Sequence, residues 1–117
     1  MLKQSPADRV FHALADANRR AIIERLTRGP ATVSELAQVL GVTVAATVQH
    51  LQVLQDSDLV NSQKAGRVRT CQIEPAGLRR AEEWLQHQRT TWEHRLDRLG
   101  SVLESTETIH GRSHDHD

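Results

Sequence analysis

The sequence predicts a mainly α-helical fold carrying one small β-hairpin, on three observations. Aromatic residues make up 3% of the 117 residues, so the core has to come from Leu, Val, Ile and Ala, which suits helices packed through aliphatic stripes. Helix-start signatures recur at Ser5, Asp16, Thr32 and Thr43. After Asp58-Leu59-Val60 the texture changes to short runs around a glycine, followed by a long stretch of apolar residues spaced three and four apart.

Ser5-Pro6-Ala7-Asp8 reads as a first helix start, with Ser5 as N-cap, Pro6 at the first helical position and Asp8 closing a capping pair. Val10, Phe11, Ala13, Leu14 and Ala17 then fall on one side of that helix. Asp16 caps a second helix, where Ile22, Ile23 and Leu26 form the apolar stripe and Arg19, Arg20, Arg25 and Arg28 project outward. Gly29-Pro30 stops it. Thr32 and Glu35 stand at capping-box spacing and open a short helix built on Val33, Leu36, Ala37 and Leu40. Gly41 ends that helix, because glycine tolerates a left-handed backbone. Thr43 caps a fourth helix running to about Ser57. Two short helices joined by a glycine-containing turn are the pattern of a helix-turn-helix.

Asn61 to Lys64 and Arg67 to Ile73 read as two strands joined at Ala65-Gly66. Pro75 begins a long helix from about Ala76 to Leu103, with Leu78, Ala81, Leu85, Gln88, Trp92, Leu96, Leu99 and Leu103 along one seam. Such a helix is about 40 Å long, against a radius of gyration of about 13 Å for a domain of this size. One domain does not easily cover it; a second copy of the chain does. Residues 1–104 are therefore expected to form one domain that binds DNA and dimerises. Residues 105–117 are polar, unpatterned and rich in His, and are expected to form a disordered tail.

No apolar run approaches the ~20 residues that cross a bilayer, and no charged-then-apolar leader opens the sequence, so a cytoplasmic protein without a membrane partner is expected. Cys71 is the single cysteine, which excludes an internal disulfide and a multi-thiolate metal site within one chain. No nucleophile–base pair, Gly-rich phosphate loop or paired carboxylates point to an enzyme.

Advancing ~100° per residue from Thr47 puts Leu51, Leu54, His50 and Thr43 on the side of the fourth helix that faces the domain. Ala45, Val48, Gln49 and Gln52 lie opposite, on the side that would enter a major groove. A Gln amide pairs bidentately with the N6/N7 edge of adenine, and Ala or Val packs on the thymine methyl. His50, near the packed side, reads as a structural histidine that bonds backbone or phosphate. Lys plus Arg and Asp plus Glu number 15 each, so no overall basic excess marks a nucleic-acid binder. From Ala31 through Gln63 there is no Lys or Arg, while Glu35, Asp56 and Asp58 make that stretch acidic. Cations for the phosphates must come from Arg19, Arg20 and Arg28 before it, and Lys64, Arg67 and Arg69 after it. Arg67 and Arg69 are expected to share one strand face.

The segments ALADANRRAIIERL, TVSELAQVLGVTVAATVQHLQVLQDSDLV and KAGRVRTCQIEP, taken together, resemble the ArsR family of winged-helix repressors, over about Arg9 to Leu103. The segment AEEWLQHQRTTWEHRLDRL resembles the last helix of ArsR-like regulators that lack a metal site. The resemblance implies a homodimer built on the first and last helices, with Val10, Leu14, Leu85, Trp92, Leu96 and Leu99 at the interface. It also implies repression at a pseudo-palindromic operator. The family's base-contacting segment falls on Thr43, Val44, Ala45, Val48, Gln49 and His50, where Val44, Ala45 and Val48 depart from the commoner polar or Pro residues. Cys71 takes a wing-strand position usually held by an aromatic.

Family members that sense arsenic carry a Cys pair on the first helix of the helix-turn-helix, and the matching stretch Val33-Ser34-Glu35-Leu36-Ala37 has no thiol. Zinc-type members place a carboxylate and His, then a His and a further ligand three residues on, along the last helix. His94 and Asp97 match the second half, but Glu83 stands for the first His and Ala81 for the leading carboxylate. That incomplete set predicts no resident metal, and no cofactor is expected. In the tail, His110, His114 and His116 with Asp115 and Asp117 would bind nickel or zinc only loosely, because a flexible set loses entropy on ordering. The expected function is a sequence-specific DNA-binding repressor whose partners are duplex DNA and a second copy. The alternatives are a metal- or small-molecule-responsive sensor of the same fold, or a dimeric protein-interaction module with weak DNA binding.

Overall fold

The computed structural model describes residues 4–108, with side chains to 104, and the His and Asp residues of the tail lie outside the described residues. The elements run α1 (Pro6–Leu14), α2 (Ala17–Leu26), β1 (Ala31–Thr32), α3 (Val33–Leu40), α4 (Val44–Asp56), β2 (Val60–Ala65), β3 (Val68–Ile73) and α5 (Pro75–Thr108). Through Glu83 they form one compact unit, and α5 from Trp84 onward is a second.

The capping signatures act as the sequence predicts. Ser5 and Asp8 bond each other's backbone N–H groups at 3.1 and 2.8 Å, and Thr32 and Glu35 do the same at 3.1 Å each. Asp16 Oδ1 accepts from the amides of Asn18 and Arg19, at 2.8 and 3.2 Å. Those bonds, the Arg19 amide foremost, hold the Asp16 carboxyl below its ordinary value against the opposing pull of burial. Ala17 is the first residue of α2 rather than part of α1, because α1 stops at Leu14 and Asp16 restarts the chain as a cap.

The hairpin is the larger part of a three-stranded antiparallel sheet in the order β1-β3-β2. The third strand, Ala31–Thr32, pairs Ala31 with Cys71 and Thr32 with Thr70. β2 begins one residue earlier and ends one later than the sequence predicts, and the turn falls at Gly66-Arg67 instead of Ala65-Gly66. Gly66 takes a φ of 63°, a left-handed conformation that glycine adopts without a Cβ clash. One face of the hairpin carries Val60, Ser62 and Lys64 opposite Ile73, Cys71 and Arg69. Val60 and Cys71 are buried on it.

Ile22, Leu36, Leu51, Leu54 and Leu59 are fully buried and centre the core, with Val10 and Ala13 of α1 and Ala81 of α5 joining them. Val10 is 0% exposed. It therefore offers no surface to a partner, which corrects its placement at a dimer interface; β-branched and on the inner face of α1, it belongs to its own chain's core. Leu14 is partly buried against the same cluster.

α4 and α5 meet through a turn that the sequence does not advertise. Asp58 sits at φ 56°, and the amides of Asp58 and Leu59 reach back to the carbonyls of Gln55 and Leu54 at 3.0 and 2.9 Å. This is the bond pattern of a Schellman cap, usually built on glycine. The Gly77 amide donates to the Asp58 carbonyl at 2.8 Å, and Arg80 bonds the Asp58 carboxylate. A Cβ on Gly77 would overlap the Ser57 carbonyl oxygen and lie 2.6 Å from that of Asp58. Gly77→Ala is accordingly expected to destabilise the fold by about 1–3 kcal/mol, seen as a lowered urea midpoint. An unchanged midpoint would mean that α5 does not need so close an approach.

Candidate nucleic-acid interface

α3 and α4 are joined at a bend of 106°, within the range of a helix-turn-helix. The bend is held by Gly41 at φ 67°. Its amide and that of Val42 return to Gln38 and Ala37 at 3.2 Å each, a second Schellman cap. Thr43 then starts α4: its Oγ1 accepts from the Ala46 amide at 3.0 Å, and its carbonyl accepts from Thr47 Oγ1 at 2.9 Å.

Burial fixes the rotation of α4. Thr47, Leu51 and Leu54 are buried, while Ala45, Val48, Gln49 and Gln52 are exposed; the structure places these residues on the two sides that the sequence assigns. Val44 is also exposed, at 50%, beside Val48 at 47%. Thr43, which the helical period places on the packed side, is exposed instead, because as N-cap it precedes the helix and turns its hydroxyl back on the Ala46 amide. His50 is half-buried and close enough to Asp16 for its charge to help hold that carboxyl down, which suits a structural role. The amides of the two exposed glutamines differ. Gln52 Nε2 donates to Asp56 Oδ1 at 2.9 Å, whereas Gln49 has no side-chain partner among the described residues.

The sheet brings the wing beside the start of α4. Val44 and Val48 line an open concavity of about 430 Å³ together with Thr32, Val33 and Ser34 at the start of α3, and Lys64, Arg67, Val68 and Arg69 of the wing. Arg67 occupies the turn rather than β3. It therefore does not share a strand face with Arg69, as the sequence suggests; Lys64 is the residue that does, in register with Arg69. Arg69 Nη1 donates to Ser62 Oγ at 2.9 Å, and Gln55 Nε2 of α4 donates to the same oxygen at 3.2 Å. Ser62 thus ties the wing to α4. Cys71 is buried opposite Ala31 and Ser62, and burial raises its thiol, with Arg69 pulling weakly the other way. A buried thiol so raised is a poor nucleophile.

Of the arginines ahead of the helix-turn-helix, Arg19 and Arg25 are drawn in, unlike the sequence expectation, whereas Arg20 stays exposed. Arg19 does not project outward: its side chain is 13% exposed, with Nε on the Ala13 carbonyl at 2.7 Å and Nη2 on that of His12 at 3.2 Å. Arg20 Nη1 bonds the Leu14 carbonyl at 2.7 Å, and Arg25 Nη1 bonds that of Gly29 at 3.1 Å. These guanidiniums satisfy the last carbonyls of α1 and the loop after α2, where the helix dipole also favours a cation. Periodicity alone cannot reveal this, because the acceptors lie across a turn. Arg28 remains exposed. His94 and Asp97 share a shallow hollow with Arg98, and among the described residues no three His, Cys, Asp or Glu side chains gather as a metal set.

A bent helix pair with one exposed face, flanked by a basic hairpin, defines a winged helix-turn-helix DNA-binding transcriptional regulator. Residues 14–63 match the helix-turn-helix domain family. The HTH-type transcriptional regulator Rv2034 of Mycobacterium tuberculosis is 51% identical over 71 residues, which span 61% of this chain and 66% of that protein's length. A solved ArsR family transcriptional regulator is 42% identical, with 79% of this chain and 97% of that one covered and a TM-score of 0.71. The homodimeric winged helix-turn-helix DNA-binding domain Mb0332 of Mycobacterium bovis, described as a possible ArsR-family regulator, is 25% identical. That likeness covers 99% of this chain and 100% of the other, with a TM-score of 0.56. The chain belongs to the ArsR family of transcriptional regulators.

Arg19→Ala is expected to lower stability by roughly 1–3 kcal/mol, since two carbonyls lose a charged donor, while leaving the salt dependence of DNA binding unchanged. Thermal melts and salt-titrated binding check the two halves; a flattened salt slope would make Arg19 a phosphate contact instead.

Proposed function

We propose that the chain is a homodimeric repressor that inserts α4 into the major groove of a pseudo-palindromic operator. In this reading Val44, Ala45, Val48, Gln49 and Gln52 meet base edges, Thr43 and His50 approach the backbone, and Lys64, Arg67 and Arg69 neutralise phosphates. The observation that carries it is the shared concavity: the exposed start of α4 and three cations of the wing border one hollow. Lys64 and Arg67 have no hydrogen-bond or ion-pair partner among the described residues, so both remain available to phosphate oxygens. Repression needs nothing more than occupancy, because a dimer seated on promoter DNA excludes other proteins from it.

Residues 1–104 would serve as the binding and pairing domain. Residues 105–108, which the sequence assigns to a disordered tail, instead continue α5 to Thr108, because its helical path runs unbroken past Glu104. Pairing is supported by α5, where Leu85, Trp92, Leu96 and Leu99 are all at least half exposed at the spacing of a helix–helix seam, and by the homodimeric state of the Mycobacterium bovis relative.

A gel shift on the chain's own upstream region, at low and moderate salt, tests the binding. Gln49→Ala should weaken specific binding by ~1–3 kcal/mol and relax preference at one base pair. Arg67→Ala should weaken every sequence alike and flatten the salt slope by about one. Equal losses of base preference in both variants would contradict this division of labour. Trp92→Asp should give monomers with poor DNA affinity, and sedimentation showing intact dimers would remove α5 from the interface.

A further inference from the structure

We propose that Asp56 is a positioning residue for base recognition, which fixes the amide of Gln52 so that it selects adenine over guanine. The inference rests on α4 being the reading helix and goes beyond it by assigning a role to a residue that would not itself meet a base.

The argument starts from the bond between Gln52 Nε2 and Asp56 Oδ1, 2.9 Å long and one helical turn apart on the exposed surface of α4. A carboxylate only accepts hydrogen bonds, so the amide nitrogen, and not the oxygen, must face Asp56. That settles the orientation of a group whose two ends otherwise exchange by a half-turn about its last bond. One amide hydrogen is engaged by Asp56. The oxygen and the second hydrogen remain available, in a fixed order along the helix.

Adenine presents a donor at N6 and an acceptor at N7, so it matches one amide oxygen and one amide hydrogen in a single order. Guanine presents acceptors at both O6 and N7. Guanine still takes the amide hydrogen at N7, but its O6 then faces the amide oxygen, acceptor against acceptor. Relieving that clash needs the amide to turn its nitrogen toward O6, which the bond to Asp56 opposes. Gln49, whose side chain has no such anchor among the described residues, is free to present either end. The two glutamines of one surface therefore differ in stringency: Gln52 reads adenine, and Gln49 tolerates either purine. Asp56 also sets a negative charge close to the DNA, so neutralising it should tighten binding to all sequences.

The test is selection from a random-sequence duplex library with the intact protein and with the Gln52→Ala, Gln49→Ala, Asp56→Ala and Asp56→Asn variants, each checked by thermal melting. Gln52→Ala locates the base pair that Gln52 reads. At that pair the intact protein should prefer adenine to guanine by about ten-fold. Asp56→Ala should bring that ratio close to one while preferences elsewhere persist. Asp56→Asn can donate as well as accept, so it no longer dictates which end of the Gln52 amide faces it; it should lose most of the discrimination and, like Asp56→Ala, tighten binding overall. A purely structural role for Asp56 would instead lower the melting temperature and leave the ratio intact. If Gln52→Ala relaxes one base pair and Asp56→Ala leaves it unchanged, the positioning role is overturned while α4 remains the reader. The same holds if only Gln49→Ala relaxes a pair, since Gln52 would then read nothing. If neither glutamine variant changes any preference, neither glutamine reads a base and the inference falls, whether or not Val44, Ala45 and Val48 still do.

Discussion

What the molecule offers to a nucleic acid depends on how α4 is rotated about its own axis. Thr47, Leu51 and Leu54 sink into the core, and with 3.6 residues per turn that burial leaves Ala45, Val48, Gln49 and Gln52 facing outward. A rotation by one residue, about 100°, would expose a leucine and bury a glutamine, so the hydrophobic effect holds the setting. Both ends are also clamped. At the first, the left-handed Gly41 turn hands the chain from α3 to Thr43. At the second, the left-handed Asp58 turn is gripped by Gly77 and Arg80 of α5. The surface of α4 is thus set by packing beneath it and by two caps of the same geometry, made from different residue types.

The charge distribution follows from the same economy of contacts. α4 carries no Lys or Arg, and two of the arginines ahead of it are committed to the carbonyls at the end of α1. The remaining cations of the winged unit that border the exposed start of α4 are those of the hairpin. On the proposed reading this separates two tasks usually mixed on one helix. Methyl and amide groups of α4 discriminate sequence with little dependence on salt, and the wing supplies the phosphate attraction, which falls as salt rises.

Much of this was legible in the sequence, and the gaps have definite causes. Capping residues announce themselves by type and spacing, so Ser5, Asp16, Thr32, Gly41 and Thr43 mark the ends of helices correctly. The faces of α4 follow from period alone. Strand β1 was not legible because two residues carry no period, and its pairing with Cys71 and Thr70 is a long-range contact. The hairpin turn slipped by one residue, since Lys-Ala-Gly-Arg has no strong turn dipeptide, and that slip moved Arg67 off the strand. Val10 illustrates a different limit: an apolar helix position reads the same whether it faces its own core or a partner. Asp58 and Gly77 show a third, because a left-handed aspartate and a glycine inside a helix look unremarkable until the backbone contact between them is seen.

On the proposed reading, the uncharged surface of α4 and the bare seam of α5 become intelligible when considered together. Leu85, Trp92, Leu96, Leu99 and Leu103 leave apolar surface in water, and each such side chain gains about 1.5–3 kcal/mol when fully covered. In the proposed dimer a second copy would supply an identical seam, and a twofold pair of seams is self-complementary by construction. Pairing then changes what each wing must accomplish. A single hairpin with three cations holds DNA weakly at physiological salt, but the second of two linked hairpins binds as an intramolecular event, at an effective concentration set by the dimer. In such a dimer, affinity that α4 does not obtain from charge would be recovered by duplication, and only on DNA that repeats the half-site at the dimer's spacing. On this argument the absence of cations from α4 makes specificity depend more heavily on symmetry, since a lone half-site leaves one wing and one neutral helix to bind by themselves.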